Sequence, residues 1–310
     1  MNGPVRALLA IAGLFCAAAA PAPAVVLLPS FAGTCGGKLI CNGDATEIGA
    51  ALRLVPALQD QSGAAYLAKA VHLDAGLGFV TAFTFRLSGN GDAMRADGLA
   101  FLLTRTPTSL GDPSRYGGSM GFEGVGQSFA VEFDVFDNGN EAGGSNHIAL
   151  DRDGVLSDTA AASPFGQSTC NGPAPGANCM SNGDTWTALI GYNGHDHEMS
   201  VAVINGNGVA DLVIDTAPVD LDSLFAGNGA YIGFGAGTGT GDGRMNHDLT
   251  SWAFLTGNPN IRALSPSKWM LSAESSQTQA AIEEVPEPAS ATLLALGLAA
   301  RRHRSRETKR

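Results

Sequence analysis

The stretch FAVEFDVFDNGNEAGGSNHIALD, Phe129 to Asp151, gathers carboxylates, an amide and an imidazole with no cysteine among them. Glu132 and Asp134 stand two residues apart in an alternating apolar run. On a β-strand both carboxylates therefore leave from one face and reach one point beyond the strand's edge. The turn at Asp137-Asn138-Gly139 frees the Phe136 carbonyl and the Asn138 amide oxygen to face the same point. Carboxylate, carbonyl and amide oxygens are the donors that Ca²⁺ takes. His147, arriving on the next strand, adds a nitrogen that Ca²⁺ does not favour and Mn²⁺ accepts. Two cations sharing Asp134 would offset charge that otherwise repels itself. The alternative is a solvated acidic turn beside a surface histidine, and this stretch alone leaves both open.

The elements that must hold these groups are short. Runs such as GFVTAFTFRL, GLAFLL, SFAVEFDVF, HIALD, TWTALIGYN and MSVAVI are rich in Val, Ile, Phe and Ala, and Gly, Asn and Asp turns separate them. The chain contains 41 glycines, and only its two ends keep a helical period. Short strands divided by turn residues predict an all-β, antiparallel sandwich or jelly roll over residues 25–257. Trp186 and Trp252 lie on predicted strands and are expected in its core. Residues 258–284 turn Ser-, Gln- and Ala-rich and read as a linker.

The ends read as sorting signals. Residues 1–24 carry an early Arg6, an apolar run and Ala22-Pro23-Ala24, the pattern of a secretory signal peptide. Residues 285–310 place Val285-Pro286-Glu287-Pro288 before a short apolar segment and a basic end. This order resembles the PEP-CTERM sorting tail of bacterial exosortase substrates. The resemblance implies tail cleavage by an exosortase-type enzyme, and a mature protein in the cell envelope or extracellular matrix. The formal net charge is −11, and many of the basic residues sit at the two ends. The acidic body should repel nucleic acid and anionic lipid and suit divalent cations. Five cysteines become four once the signal is removed. Close spacing and an oxidising compartment predict two local disulfides, Cys35–Cys41 and Cys170–Cys179.

The segment VEFDVFDN…NHIALD is similar to the metal-binding segment of legume-type (L-type) lectins, where Glu-x-Asp-x-Phe/Tyr-x-Asn is followed by an acid and then His-Ile. The resemblance implies a concanavalin A-like β-sandwich and a carbohydrate-binding function. It implies Glu132 and His147 as transition-metal ligands (Mn²⁺ or a similar ion) and Asp134 as the bridging carboxylate. The Phe136 carbonyl and Asn138 would be Ca²⁺ ligands. Glu141 is the acid nearest to the family's next aspartate, displaced by one residue. ADGLAFLL resembles the family's strand start, in which the Ala-Asp peptide is cis; this makes Asp97 the expected sugar ligand. YGGSMGFEG resembles the glycine-rich loop whose backbone N–H meets sugar, at Gly118. YIGFGAGTGTGDGRMNHDLTSWAF resembles the last core strands around the specificity loop, with Asp242, Gly243 and Arg244 as candidates beside Asn138. Glycans or an exopolysaccharide would be the partners, and a homodimer through sheet edges is implied as well.

Two other readings compete with a non-catalytic lectin. Glu132-Phe133-Asp134-Val135-Phe136-Asp137 approaches the Glu-x-Asp-x-x-Glu strand of sandwich glucanases, so a glycoside hydrolase is one alternative. A matrix or adhesion protein without sugar binding is the other. DRDGVLSD, Asp151 to Asp158, echoes a calcium loop but lacks EF-hand spacing and its closing glutamate. His195 and His197 are read as exposed turn residues. Phe101 and Phe122 are expected beneath the site, with Phe122 able to reach a sugar face.

Overall fold

The computed structural model describes residues 24–73, 76–89, 94–108, 110, 117–139, 142–170, 174–225 and 227–257. Residues 1–23 of the segment read as a signal peptide (1–24), the segments read as a linker (258–284) and a sorting tail (285–310), and Glu141 lie outside the described residues. Among those residues, fifteen strands form two antiparallel sheets, with one short α-helix at Leu221–Phe225. No helix among them is long and apolar enough to cross a membrane.

The back sheet runs in the order β13 (Ala210–Pro218), β12 (Glu198–Ile204), β11 (Thr185–Asn193), β6 (Gly78–Gly89), β15 (Met245–Gly257), β4 (Ala51–Val55) and β3 (Thr46–Ile48). β1 (Val25–Leu28) pairs with the far part of β15. The front sheet runs β10 (Val155–Ala162), β9 (His147–Arg152), β8 (Phe129–Asp134), β7 (Gly98–Thr104), β14 (Tyr231–Gly237), β5 (Ser62–Leu67) and β2 (Leu39–Gly43). This is the expected sandwich.

The alternation of residues sorts the two faces of the front sheet. Phe129, Val131 and Phe133 on β8 enter the core between the sheets, as do Phe101 on β7 and Phe234 on β14. There Phe83 meets Phe234, and Phe234 meets Trp252, edge to face with ring centroids 4.9 Å apart. Such contacts add to the burial of large rings that dominates a sandwich core. Trp186 and Trp252 are both buried, and their indole N–H groups donate to Asn182 and Thr81. The even residues of β8, Ala130, Glu132 and Asp134, point to the opposite face. That face carries its own small apolar cluster of Ala64, Tyr66, Ala100, Leu102, Phe122 and Ala130. Phe122 is thus fully buried against the front sheet, and its ring is held away from any sugar; this corrects the expectation that it might reach one.

Both expected disulfides are present, Cys35–Cys41 and Cys170–Cys179. At the hairpin tip His195 is exposed and its ring pairs with its neighbour Asp196 at 2.8 Å, whereas His197, expected to be exposed, is half-buried with its Nδ1 3.3 Å from the Tyr192 hydroxyl.

His247 is a buried polar residue whose side chain has no hydrogen-bond partner. On β15, Met245, His247 and Leu249 alternate inward, and neither ring nitrogen of His247 finds a hydrogen bond. Burial, with the nearby Arg53 charge, pushes the His247 pKa down to about 3. The folded pKa lies below the unfolded one, so the unfolded chain takes up a proton first as pH falls. Stability from this residue is intact above about pH 6.5 and is lost at about 1.4 kcal/mol per pH unit below it. We expect His247→Leu to be more stable than the parent at pH 7. Between pH 6.5 and pH 5 its urea-unfolding free energy should fall by about 2 kcal/mol less than the parent's. Equal losses in the two proteins would show that His247 does not carry this acid sensitivity.

Candidate metal centre and adjoining pocket

On the outer face of the front sheet, β8 and β9 lie in a register that sets Glu132 opposite Ala149 and Asp134 opposite His147. His147, Ala149 and Asp151 share one side of β9, so Glu132 stands over a methyl group with His147 and Asp151 diagonally on either hand. Glu132, Asp134 and His147 are each about 1% exposed or less. Each offers a ligand atom within 4.8 Å of the others. Carboxylates this far from water are stable only when paired, protonated or bound to a cation. Burial, and then the charges of Asp151 and Asp158, push the Glu132 carboxyl far above the usual range. A cation would therefore displace a proton here, and binding should weaken as pH falls.

The histidine gives the sharper indication. Its Nδ1 lies 2.7 Å from the Gly144 carbonyl oxygen and its Nε2 lies 3.1 Å from Glu132 Oε1. A carbonyl only accepts, so Nδ1 carries a proton, while Nε2 faces a carboxylate oxygen. A proton or a cation between Nε2 and Oε1 would satisfy that contact. An N–H fixed on a backbone carbonyl with the other nitrogen free is the usual dress of a metal-bound histidine. The donor set fits a transition ion such as Mn²⁺.

The loop bearing His147 is braced from behind. Ser145 Oγ accepts from the Cys170 N–H at 3.0 Å. The Asn146 amide donates to the Gln167 and Asn178 carbonyls and accepts from the Met180 N–H. The Cys170–Cys179 loop thus holds the residues just before the imidazole.

Strand direction explains how distant segments meet at Asp134. In the order β8-β7-β14, the C-terminal ends of β8 and β14 lie beside the N-terminal end of β7. Gly98 pairs with Asp134 on one side and with Gly237 on the other. Asp97 precedes Gly98 across a cis Ala96–Asp97 peptide, as expected. Its carbonyl accepts from the Val135 N–H at 2.8 Å, and its own N–H donates to Gly237. After β8 the chain turns at once, with the Phe136 N–H on Asp134 Oδ1 at 2.6 Å.

These loops enclose a pocket of about 720 Å³ lined by Asp97, Gly118, Asn138, Asp242 and Gly243, among others. Glycine is required at Gly117, where φ is 77° and a Cβ would sit 2.1 Å from Asp97 Oδ2 and 2.8 Å from Gly239 Cα, while a Cβ on Gly118 would sit 2.5 Å from Asn138 Nδ2 and displace that side chain. Arg244 stands behind this wall, its Nη1 3.9 Å from Asp242 Oδ1 and its N–H on the Met94 carbonyl. The half-buried Phe136 also lines the pocket.

Sequence reasoning noted Asp151 and Asp158 as the ends of a calcium-loop echo and set them aside, missing their approach to Glu132. Both face Glu132, forming a second group of ligand atoms within 4.8 Å of one another. Asp151 could have been found, because it repeats the strand parity of His147. Asp158 lies beyond an irregular stretch of β10 that residue spacing does not reveal.

A legume lectin domain model matches residues 27–269, running past Gly257 into the segment read as a linker. Lectin DB58 of Vigna unguiculata subsp. cylindrica is 26% identical over 247 residues, covering 74% of this chain and 82% of its own length. The lectin alpha chain of Lablab purpureus is 26% identical over 182 residues, and the match spans 57% of this chain and 59% of that lectin's length. In fold, the lectin of Bauhinia forficata, solved in complex with GalNAc, superposes with a TM-score of 0.61 at 23% identity, covering 77% of this chain and 100% of that one. With the sandwich, the buried Glu-Asp-His group and a family match across most of its length, the chain belongs to the legume lectin domain family.

Proposed function

We propose that the protein is an exported, metal-dependent glycan-binding lectin without catalytic activity. The carrying observation is the convergence of Asp97, Asn138 and the Gly118 backbone on one pocket whose floor is tied to Asp134. Glu132, Asp134 and His147 would hold a transition ion. Asp134, the Phe136 carbonyl and Asn138 would hold Ca²⁺, with their oxygen donors. The bound ions would supply the positive charge that keeps these acids ionised and the loops in place. Asp97 then accepts hydrogen bonds from sugar hydroxyls, Asn138 donates and accepts, and Gly118 gives a backbone N–H. Hydrogen bonds to an ionised carboxylate are roughly twice as strong as neutral ones, so Asp97 sets both strength and direction. The Phe136 ring supplies an apolar face for a pyranose. The Bauhinia forficata lectin was solved with GalNAc, which supports a saccharide as the ligand class.

Asp137 favours binding over hydrolysis. Its carboxylate accepts the Gly139 N–H of its own turn at 2.7 Å and is exposed, so it does not join Glu132 as a second catalytic acid. The acidic body and sorting signals suit a polysaccharide of the envelope or matrix as partner, reached after processing by an exosortase-type enzyme. Val25 and Leu27 at the β1 edge are about half exposed and would serve a homodimer edge.

On a glycan array the protein should bind a saccharide, lose the signal in EDTA, and regain it with Ca²⁺ and Mn²⁺ together. Asp97→Asn should weaken binding at least about tenfold with an unchanged circular dichroism spectrum, the loss of one charge-assisted bond. Binding that survives both treatments would overturn the metal-site mechanism. Incubated with laminarin or lichenan, the protein should release no reducing sugar; turnover that Glu132→Gln abolishes would establish the hydrolase instead.

A further inference from the structure

The two oxygens of Glu132 face different neighbours. Oε1 meets His147, whereas Oε2 is buried and accepts no hydrogen bond. Across from it, Asp151 is divided in the same way. Its Oδ1 takes the N–H groups of Ser157 at 2.6 Å and Asp158 at 3.1 Å, and its Oδ2 is buried with no partner. Both side chains are about 1% exposed. Asp158 completes the group from β10, where a register shift and a φ of 49° turn it toward Glu132. One of its oxygens is bonded to the Ala142 N–H at 2.8 Å.

Carboxylate oxygens only accept, so orphaned oxygens on neighbouring acids repel unless a positive centre lies among them. A single proton bridges two oxygens and does not reach the third acid. A divalent cation satisfies all three. Ligand atoms within 4.8 Å of one another are compatible with metal–oxygen distances of about 2.0–2.6 Å. The all-oxygen set selects a hard ion. Asp158 is half-buried and also lines the pocket, which gives an entry path from solvent.

We propose that Glu132 Oε2, Asp151 Oδ2 and the Asp158 carboxylate form a further divalent-cation site, of Ca²⁺ or Mn²⁺ class, distinct from the Glu132–Asp134–His147 centre and joined to it through the two oxygens of Glu132. The ion sits in the β10 wall of the ligand pocket. The site shares Glu132 with the metal centre of the proposed lectin mechanism but does not depend on glycan binding.

The test is ion stoichiometry. The full chain is dialysed to equilibrium against Ca²⁺, and separately against Mn²⁺, and bound metal per chain is measured by elemental analysis for the parent, Asp158→Asn, Asp151→Asn and His147→Ala. Circular dichroism controls for folding. In at least one metal the parent should hold one ion more than Asp158→Asn, and His147→Ala should keep that ion. Should Asp151→Asn fail to fold, the nearly isosteric change at half-buried Asp158 still decides the matter. An unchanged count and affinity in Asp158→Asn would overturn the proposal in favour of a proton shared by Glu132 and Asp151. Loss of every ion in that variant, or a parent that binds no ion, would overturn it too. Glycan arrays on the same samples separate the two readings: a silent array with the Asp158-dependent ion present defeats the lectin reading alone.

Discussion

The molecule is organised around carboxylates placed where water does not reach. Glu132, Asp134 and Asp151 lie on the outer face of the front sheet under covering loops, each about 1% exposed. Buried like charges are costly, and the sheet cannot relieve them by itself because its backbone groups are committed to the ladder. What the sheet provides is position. Ala130 and Ala149, facing the same way between the acids, leave room for other groups to approach. The acids thereby become a preformed cradle rather than a defect, and the loops that cover them become the walls of a ligand pocket. Stability and function pull on the same residues: every device that excludes water from the acids also sharpens their demand for a cation.

The aromatic core on the other side of the sheet makes this placement durable. Phe133 lies between Glu132 and Asp134 in sequence and points the opposite way, against Phe83 and Phe85. A slip of one residue in β8 would exchange rings for carboxylates on both faces at once. The hydrophobic pattern of one strand thus sets the register of the metal centre. Antiparallel order does the rest, since it returns Asp97, Asn138 and the loop after Gly237 to one end of three adjacent strands.

The legible and illegible parts of the sequence divide along the range of the interactions. Strand alternation placed Glu132 and Asp134 on one face, family resemblance added His147 from the next strand, and two short cysteine spacings gave the disulfide pairs. Family resemblance carried Asp97, Gly118 and Asn138 to the pocket, which no spacing rule would have joined. Asp158 was noted only as the end of a calcium-loop echo; its approach to Glu132 escaped because a bulge breaks the two-residue period that makes strands readable, and the bulge leaves no residue signature of its own. That Phe122 packs beneath the site was expected; that its ring is shut away from a sugar was not legible, for a related reason: the recess it fills is made by Ala64, Ala100 and Ala130, which belong to three different strands. A vacancy assembled from distant small residues is invisible until the strands are in register.

The brace behind His147 ties sugar recognition to electron chemistry far from the sugar. Ser145 and Asn146 are held by the ring of chain that Cys170 and Cys179 close, so the aim of the imidazole rests on a bond that thiols can undo. A chain with those sulfurs reduced would keep its sheets and lose the strut that steers one ligand nitrogen. In the metal-dependent function proposed above, competence to load metal would then depend on whether the polypeptide matured where disulfides form.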